Sequence, residues 1–412
     1  MPKIIRILNR FNLGGPTYNA AYLTKYLEPE FNTILVGGQK DDSEDSSEFI
    51  LDTLGIKPMI IHEMKRSINP WNDWKAYRKI YQLIKIEKPT IVHTHASKAG
   101  ALGRLAAIRL KVPIIIHTFH GHVFHSYFNP IKTSIYKGIE RYLANRSTKI
   151  IAISVKQKKE LCNEHRICPS DKIEVVPLGF DLKRFSENQE EKRQIFREHF
   201  SLESDEIAIG IVGRVVPVKN HQLFLKAIQF VTENTTKKIK AFIIGDGESI
   251  ISIKEHASAL GIRYSDQKGL TLFDEHISGK NNIMPENQNS GNLVFTSWIR
   301  NIDYAFAGLD IIALSSLNEG TPVSIIEAQA ASKPVVSTPV GGVENIVIPG
   351  ETALLSNGTD QSYFDCLLDV TENEDRRISM GKSGWDHVNN KYNYNHMTGN
   401  FANLYQRLMQ SL

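Results

Sequence analysis

Residues 310–331 read DIIALSSLNEGTPVSIIEAQAA, a short apolar run followed by a polar loop and a helix-forming segment. The apolar run predicts a buried strand over Ile311–Ser315, and the proline suits the first turn of a helix over Pro322–Ala331, where its missing N–H costs nothing. A strand that runs into a helix is the repeating unit of a parallel α/β sheet. This order places Glu319 in a loop at the carboxyl end of a strand and Glu327 between one and two turns into the helix.

The same alternation covers the whole chain. Strands are predicted at Ile4–Leu8, Thr33–Val36, Ile91–Thr94, Ile114–Thr118, Lys149–Ile153, Ile173–Val176, Ile207–Val212, Ala241–Ile244, Leu293–Thr296, Ile311–Ser315 and Pro334–Thr338. Helices are predicted between them, at Thr17–Leu27, Trp74–Glu87, Lys98–Arg109, Lys132–Ala144, His221–Thr232, Glu248–Leu260, Pro322–Ala331 and Gln361–Thr371. Continuous apolar strands separated by helices indicate parallel sheets covered on both faces. The predicted fold class is α/β, with two successive doubly wound domains.

Length and charge divide the chain into two parts. Its 412 residues exceed one compact core, and Phe185–Glu206 is polar and lacks strand signals. We therefore assign residues 1–186 to a first domain and residues 187–412 to a second. The first carries 29 Lys and Arg against 17 Asp and Glu, a net charge of +12, and the second carries −8. The total charge of +4 conceals two unlike halves.

Two segments of the second domain depart from the strand and helix pattern. Residues 263–291 have little periodicity and many Asn, Ser and Gly, so we expect an insertion there. The amphipathic segment Tyr394–Leu408 predicts a final helix, which we expect to pack back on the first domain.

Composition and motifs exclude several classes of protein. Three cysteines without a C-x-x-C pair do not form a disulfide framework and indicate a reducing, cytoplasmic compartment. The start MPKIIRILNR turns polar at once, so no signal peptide is predicted. Val112–Ile131 lacks Asp, Glu, Lys and Arg but holds four histidines, so we do not expect it to cross a membrane. Neither a complete dinucleotide fingerprint nor a P-loop motif is present, which disfavours a dinucleotide enzyme and a P-loop ATPase.

A cationic motif opens the second domain. Gly213 and Arg214 follow its first strand, and Lys219 lies five residues further on. The guanidinium can bind two phosphate oxygens at once and Lys219 adds a point charge, so the pair suits a diphosphate. Glu319 and Glu327 can grip hydroxyl groups while the N–H groups of the helix N-terminus face a phosphate. The set predicts a nucleotide-sugar site, although for Glu327 alone a solvated acidic helix turn is the ordinary alternative.

A run of histidines surrounds the end of the predicted strand Ile114–Thr118. Its members, with two residues from the preceding strand, are His93, His95, His117, His120, His122 and His125. No Cys or carboxylate completes a ligand set, so we predict no metal site. We expect His120 to line a cleft at the strand end, and His122 or His125 either to reach the acceptor or to lie on the surface.

Together these motifs resemble the retaining glycosyltransferases of family 4. The resemblance runs over nearly the whole chain and implies the GT-B fold, with two facing Rossmann-like doubly wound parallel-sheet domains and an interdomain cleft. It rests on Gly14-Gly15, Thr118–His120, Val176–Asp181, Phe185, Gly213-Arg214 with Lys219, Gly245–Gly247, Phe295–Trp298, Glu319–Glu327, Gly341–Glu344 and Gly350. The chain departs from the family at Ser297, where glycine is usual, at Val176–Gly179, which replaces an Asn-Gly turn, and in the long segment 263–291.

The resemblance implies a role for each matching residue. Arg214 and Lys219 would hold the donor diphosphate, Glu327 the ribose and Glu319 the transferred sugar, while His120 would lie near the anomeric carbon. The other implied donor-binding positions are Gly14, Gly15, Gly213, Gly245, Gly247, Trp298, Ile299, Gly320, Thr321, Pro322 and Val323. The Trp298-Ile299 region would face the base, and Gly320–Val323 would offer backbone N–H groups. No metal and no cofactor are expected, since the nucleotide sugar is a substrate and the sequence has no D-x-D motif.

The implied reaction is a retaining transfer of a hexose from a nucleotide sugar. Family frequency favours UDP over GDP, and the acceptor would be a glycan or a lipid-linked glycan in the synthesis of cell-surface polysaccharide, capsule or lipopolysaccharide. Two alternatives stay open, a nucleotide-sugar 2-epimerase on the same fold and a non-catalytic nucleotide-sugar-binding subunit. The intact set of Arg214, Lys219, Glu319 and Glu327 argues against the second.

The region Lys98–Lys159 carries twelve Lys and Arg and a single acid, Glu140. Within it, an isoleucine and leucine stripe over Ile131–Leu143 repeats at helical spacing. A basic amphipathic element can lie on an anionic membrane, so we predict peripheral association with the inner face of the plasma membrane. The alternative is that the stripe packs on the sheet and the basic face meets water. No recognition motif accompanies the charge, so nucleic acid is not an expected partner.

Overall fold

The computed structural model describes residues 1–12, 15–39, 47–65, 67–120, 130–267 and 291–412, and all structural statements concern these residues. The chain divides into two compact units. The first unit is Met1–Asp181 together with Tyr392–Leu412, and the second is Leu182–Lys391. The division therefore follows Asp181 rather than residue 186, and the last residues of the chain belong to the first unit.

Short strands and longer helices alternate in both units. The strands are β1 Lys3–Arg10, β2 Asn32–Gly38, β3 Met59–Ile60, β4 Ile91–His95, β5 Ile114–Phe119, β6 Lys149–Ala152, β7 Ile173–Val175, β8 Ile207–Val212, β9 Ile239–Ile244, β10 Tyr264–Asp266, β11 Leu293–Ser297, β12 Ile311–Leu314, β13 Val335–Ser337 and β14 Ala353–Leu355. The helices are α1 Gly15–Lys25, α2 Glu48–Thr53, α3 Pro70–Glu87, α4 Ser97–Arg109, α5 Pro130–Arg146, α6 Val155–Lys159, α7 Lys183–Ser186, α8 Gln189–His199, α9 His221–Asn234, α10 Ile250–Ala259, α11 Ile302–Gly308, α12 Val323–Ala330, α13 Asp360–Glu372, α14 Glu374–Tyr392 and α15 Tyr394–Gln410.

Each unit is built on one parallel sheet of seven described strands. The orders are β3-β2-β1-β4-β5-β6-β7 in the first unit and β10-β11-β9-β8-β12-β13-β14 in the second. The strand order reverses between β1 and β4 and between β8 and β12. At such a switch point the loops after the two strands leave in opposite directions and open a crevice at the carboxyl edge, where ligands of α/β proteins bind.

All eleven predicted strands are present, and their ends differ from the prediction by no more than two residues. The prediction missed β3, β10 and β14, which are edge strands of two or three residues and too short to show a periodicity. Of the predicted insertion at 263–291, Tyr264–Asp266 forms β10 beside β11, so this part belongs to the sheet. Residues 268–290 lie outside the described residues.

The polar segment predicted to separate the domains contains helix α8 of the second unit. Its Phe196 packs against Phe242 of β9 with ring centroids 5.4 Å apart, and a Cβ at Gly308 would collide with the Phe196 ring. Arg193 also donates to Asp310, just before β12, at 2.7 Å. The sequence pattern did not predict this helix because most of its residues are polar and only its buried face carries aromatic residues.

Helix α15 packs on the first unit and begins at Tyr394, as predicted from its amphipathic pattern. Its buried residues Met397, Phe401 and Leu404 join a core cluster with Tyr22 and Leu23 of α1. None of the described helices is long and apolar enough to cross a membrane.

Candidate donor-binding site

Three glycines bring the loops after β8 and β9 into backbone contact. Gly213 has a φ of +149° and donates its N–H to the carbonyl of Ile244 at 2.9 Å. Gly245 has a φ of +140°, and a Cβ there would collide with the carbonyl oxygen of Gly213. A Cβ at Gly247 would likewise collide with the carbonyl oxygen of Val215. Only glycine permits these approaches, so all three predicted glycines shape the carboxyl edge of the sheet.

Ser297, at the end of β11, closes the same edge. Its carbonyl accepts from the N–H of Gly245 at 2.9 Å, and its φ is +58°, in the left-handed region that favours glycine. This conformation explains why glycine is usual at the position in the family that the sequence resembles. The Ser297 hydroxyl donates to Asp246 Oδ2 at 3.1 Å, which offsets part of the backbone strain.

Two substitutions at Ser297, both of which remove the hydroxyl, isolate the effect of backbone strain. Ser297→Ala removes the hydroxyl but keeps a Cβ at positive φ, whereas Ser297→Gly removes both. We expect the glycine variant to be more stable than the alanine variant by about 1 kcal/mol, because left-handed backbone costs roughly that much for residues with a Cβ. Urea unfolding of the two variants measures the difference, and equal midpoints would contradict it.

Two further glycines fix the backbone of Glu319. A Cβ at Gly341, where φ is +55°, would collide with the carbonyl oxygen of Glu319, and a Cβ at Gly342 would collide with that of Gly320. The Gly342 N–H donates to the Glu319 carbonyl at 3.2 Å. Gly341 and Gly342 were part of the sequence resemblance but were not predicted as site residues. They fix the backbone of the loop that carries Glu319.

Lys219 and Glu319 form an ion pair at the switch point between β8 and β12. The Lys219 Nζ lies 2.5 Å from Glu319 Oε1, which also accepts from the Ser316 hydroxyl at 2.6 Å. The Ser315 hydroxyl donates to the carbonyls of Lys219 and Asn220, both at 3.0 Å. The two groups predicted to bind diphosphate and sugar therefore meet each other. The sequence did not predict this contact, because the two residues are 100 positions apart.

Arg214 lies just after β8, on the same loop as Lys219. Its side chain is exposed, and it has no hydrogen bond or ion pair with any residue in the described part of the chain. Its neighbour Val215 is buried and donates its N–H to the Asp246 carbonyl at 2.9 Å. A rigid loop thus presents an uncompensated guanidinium at the carboxyl edge, where it can take an anionic ligand.

Glu327 lies on α12, just over one turn from the helix start. Its side chain is half-buried. Burial, opposed by the Arg184 guanidinium and assisted by the Asp303 carboxylate, raises the pKa of Glu327 to about 7. Arg184 is itself paired with Asp303 at 2.5 Å. The carboxyl group of Glu327 can therefore exchange its proton near neutral pH.

In the first unit, His120 directly follows β5. Its Nε2 lies 2.9 Å from Nδ1 of His95, the last residue of β4. The two rings stack with centroids 5.1 Å apart. Burial lowers the pKa of His120 to about 3. It also lowers the pKa of His95. Both imidazoles are therefore neutral at physiological pH, and one donates an N–H to the other.

A buried chain of hydrogen bonds connects strands β1, β4 and β5 to α15. The Arg6 guanidinium, which is fully buried, donates to the Tyr405 hydroxyl at 3.2 Å. The Tyr405 hydroxyl lies 2.6 Å from His93 Nδ1, and His93 Nε2 lies 2.8 Å from the Thr118 hydroxyl, so both ring nitrogens of His93 have a hydrogen-bond partner.

The sequence matches three family models, each over one section of the chain. Residues 14–184 match the model described as Glycosyltransferase Family 4. Residues 192–265 and 274–373 each match a model described as Glycosyl transferases group 1. The chain is a GT-B glycosyltransferase.

Curated relatives and solved structures agree with this assignment. The glycosyltransferase is 28% identical over 341 residues to an Escherichia coli protein named UDP-Gal:alpha-D-GlcNAc-diphosphoundecaprenol alpha-1,3-galactosyltransferase, covering 82% of this chain and 80% of the relative. It is 26% identical to the Staphylococcus aureus capsular polysaccharide biosynthesis glycosyltransferase CapM, covering 80% of each. Its fold matches the crystal structure of Anabaena Alr3699/HepE in complex with UDP, with a TM-score of 0.77 and 16% identity over 100% of both chains.

The remaining predicted site residues of the glycosyltransferase differ in how far they are buried. Gly15 is the first residue of α1, and Trp298 is half-buried after β11. Ile299 is buried, and Pro322 is the N-cap of α12, so this helix begins at Val323, one residue later than predicted. Gly320 is exposed, and Thr321 and Val323 are half-buried. Gly14, His122 and His125 lie outside the described residues.

Sequence reasoning missed two serines that support the site, and it named His95 without predicting its contact with His120. Ser315 and Ser316 tie the Glu319 loop to Lys219, and His95 contacts His120. The signal for the serines was their place at the end of an apolar strand, which is where loop ligands of a parallel sheet begin. Among the described residues of the glycosyltransferase, no three His, Cys, Asp or Glu side chains are grouped so as to hold a metal ion.

Proposed function

We propose that the chain is a retaining hexosyltransferase that uses a UDP-linked sugar and needs no metal. Its acceptor would be a glycan or a lipid-linked glycan in the synthesis of cell-surface polysaccharide, capsule or lipopolysaccharide. The observation that carries the proposal is the Lys219–Glu319 ion pair at the β8/β12 switch point, on the loop that also carries the exposed Arg214. The names of the relatives support it, since one refers to UDP-Gal and a diphosphoundecaprenol acceptor and another to capsular polysaccharide.

The charges at the site suit the bond that this reaction breaks. As the bond between the sugar C1 and the diphosphate oxygen breaks, negative charge develops on the diphosphate and positive charge on the sugar. The exposed Arg214 and the Lys219 ammonium would stabilise the diphosphate, a preorganised electrostatic effect of the kind that dominates many enzymes. The Glu319 carboxylate would hold a hydroxyl of the transferred sugar. The acceptor hydroxyl would attack C1 from the face that the diphosphate leaves and pass its proton to the departing diphosphate oxygen.

The neutral state of His120 limits its role. Since burial lowers its pKa to about 3, the imidazole carries no charge near pH 7 and would not repel the positive charge on the sugar. We propose that it binds the donor or acceptor as a hydrogen-bonding group beside the reacting carbon. Gly15, at the start of α1, would offer its N–H to the diphosphate.

The elevated pKa of Glu327 makes donor binding depend on pH. A ribose-binding carboxylate must be ionised to accept two hydroxyl hydrogens, and its folded-state pKa of about 7 lies above the ordinary value of 4.5. The donor KM should therefore rise roughly tenfold as pH falls from 8 to 6, since each unit below the pKa removes most of the ionised form. Steady-state kinetics across this range measure it, and a flat profile would contradict the assignment.

Glu327→Gln supplies the control. The variant should show a raised KM that no longer changes with pH. A carboxyl group whose folded pKa lies above its unfolded value destabilises the fold above about pH 7, and this effect is lost below 4.5. The glutamine variant should therefore be more stable than the parent by about 3 kcal/mol at pH 8 and nearly equal to it at pH 4.5.

Two measurements test the proposed reaction itself. NMR of the product formed from UDP-linked hexoses and an acceptor reports the anomeric configuration, which should match that of the donor, and turnover should survive excess EDTA. Thermal-shift screening against a panel of nucleotide sugars identifies the donor, because stabilisation follows occupancy. Conversion of the donor to a 2-epimer without acceptor would replace the proposal with the epimerase alternative. A donor that binds but is never consumed would indicate a non-catalytic subunit.

We also propose a cytoplasmic location with peripheral association at the inner face of the plasma membrane, where a lipid-linked acceptor would lie. In the basic region Lys98–Lys159, the side chains of Ile135 and Ile139 are 58% and 43% exposed. This part of the predicted stripe is therefore accessible for contact with a membrane. The region is less basic at its surface than its sequence indicates. Arg104 is fully buried and pairs with Glu140 at 2.6 Å, so this cation belongs to the core.

A further inference from the structure

Helix α3 of the first unit presents two exposed tryptophans to solvent. Trp71 is 64% exposed and Trp74 is 47% exposed, and their rings stack with centroids 5.4 Å apart and an interplanar angle of 20°. Ile68, just before the helix, is 65% exposed. We refer to Ile68, Trp71, Trp74, Lys75 and Arg78 as the tryptophan ridge. Tryptophan is among the largest apolar side chains, and its exposure next to a second exposed tryptophan marks an interaction surface.

The core does not need these residues. The buried face of α3 consists of Ala76, Ile80, Leu83 and Ile84, which pack in a cluster with β1 and β4. The tryptophans lie on a separate stripe of the helix, with Lys75 and Arg78 at the intervals of three and four residues that share a helix face. Their position is also fixed, since the Asn69 side chain caps the helix by accepting from the N–H groups of Trp71 and Asn72 at 3.1 Å each.

The ridge carries positive charge beside its aromatic rings. Lys75 Nζ lies 5.4 Å from the centroid of the Trp71 ring, and the Arg78 guanidinium lies 5.0 Å from that of Trp74. The one acid in the first turns of the helix, Asp73, is paired with Lys98. Lys98 in turn donates to the carbonyls of Lys65 and Ser67, which anchors the segment before the helix.

We propose that the tryptophan ridge docks the protein on an anionic lipid bilayer. Indole rings favour the level of the lipid headgroups, and adjacent cations bind the phosphates there. A carbohydrate would need an open indole face, but each ring is covered on one side by the other ring and approached by a cation. A buried protein interface would strip water from Lys75 and Arg78, whereas at a bilayer these side chains stay in the polar headgroup layer.

The helices next to α3 also carry exposed apolar side chains. Helices α3, α4 and α5 pack side by side in the first unit. Leu105 of α4 is 39% exposed, and on α5 the exposed Ile135 and Ile139 precede Tyr142, whose ring lies 4.0 Å from the Arg146 guanidinium. The proposal rests on the proposed membrane association but not on the proposed sugar transfer. It assigns the main lipid contact to α3, outside the basic region Lys98–Lys159.

Tryptophan fluorescence with vesicles tests the proposal without any sugar. The chain has four tryptophans, and Trp298→Phe with Trp385→Phe leaves only those of the ridge. We expect their emission to shift to shorter wavelength and to be quenched when this variant meets vesicles of equimolar phosphatidylglycerol and phosphatidylcholine that carry brominated acyl chains. Emission unchanged by such vesicles at low salt would overturn the proposal.

Sedimentation with the same vesicles, unbrominated, compares matched variants. Trp71→Ala with Trp74→Ala should lower the partition coefficient at least tenfold, and Lys75→Ala with Arg78→Ala roughly 30-fold at low salt. Ile251→Ala with Ile378→Ala removes apolar side chains that are 69% and 64% exposed in the second unit and should change nothing. Undiminished binding by the tryptophan variant overturns the proposal, as does a dimer in solution that this variant dissociates. Transfer to a water-soluble acceptor should be the same in these three double variants as in the parent, so failure of the sugar transfer is recognised separately.

Discussion

Arg214→Ala should lower kcat by about 10²–10³-fold without changing the free energy of unfolding. The side chain is exposed and has no partner among the described residues, so its removal breaks no contact that stabilises the fold. Two cations, Arg214 and Lys219, are proposed to bind the diphosphate. Because Lys219 is paired with Glu319, Arg214 is the cation of the two that has its full charge available for the diphosphate. The loss should therefore fall on the developing charge of the diphosphate and appear mainly in kcat.

Arg263→Ala is a matched control for this substitution. Arg263 is also an exposed arginine of the second unit, but it precedes β10 and lies at the amino edge of the sheet, whereas Arg214 follows β8 at the carboxyl edge. Both variants should unfold at the same temperature as the parent. Only Arg214→Ala should lose turnover, measured as UDP release with saturating donor and acceptor. Equal activities would remove Arg214 from the site.

The sequence predicted the sheets well because their strands are buried on both faces. Ile207–Val212 is apolar throughout, and its predicted and observed bounds are identical. Helix α8 was missed for the opposite reason, because a helix that buries only Phe196 and Arg197 at the surface of a unit is mostly polar. Short edge strands such as Met59–Ile60 take their conformation from the neighbouring strand, and no local pattern encodes that pairing.

The candidate site was predictable in its positions but not in its contacts. Gly213, Gly245 and Glu319 were placed at strand ends by the order of strands and loops. Sequence could not show that the Lys219 side chain reaches Glu319, since that contact depends on β8 and β12 being neighbours in the sheet. Nor could it show that Trp74, predicted to begin a helix, faces solvent while Ala76 and Ile80 fill the core.

Lys219→Ala should lower both stability and activity, and a second substitution separates the two effects. The Glu319 side chain is only 10% exposed and would lose its cation, so we expect a loss of about 1–3 kcal/mol in the free energy of unfolding. Turnover should fall by about 10²-fold, because the diphosphate loses one of its two cations. Lys254→Ala is the control, since it breaks another 2.5 Å ion pair of the same unit, with Asp266, away from the β8/β12 switch point.

Adding Glu319→Gln to Lys219→Ala removes the unpaired carboxylate and keeps an acceptor for the Ser316 hydroxyl. The double variant should recover most of the lost stability in urea unfolding, since no buried charge is left without a partner. Its turnover should stay at or below that of Lys219→Ala, because the diphosphate cation and the sugar-binding carboxylate are then both absent. An ion pair that only stabilised the fold would give the reverse pattern, with turnover returning together with stability. The comparison of unfolding free energy with kcat across the three variants therefore decides whether the Lys219–Glu319 pair acts in the reaction or only in the fold.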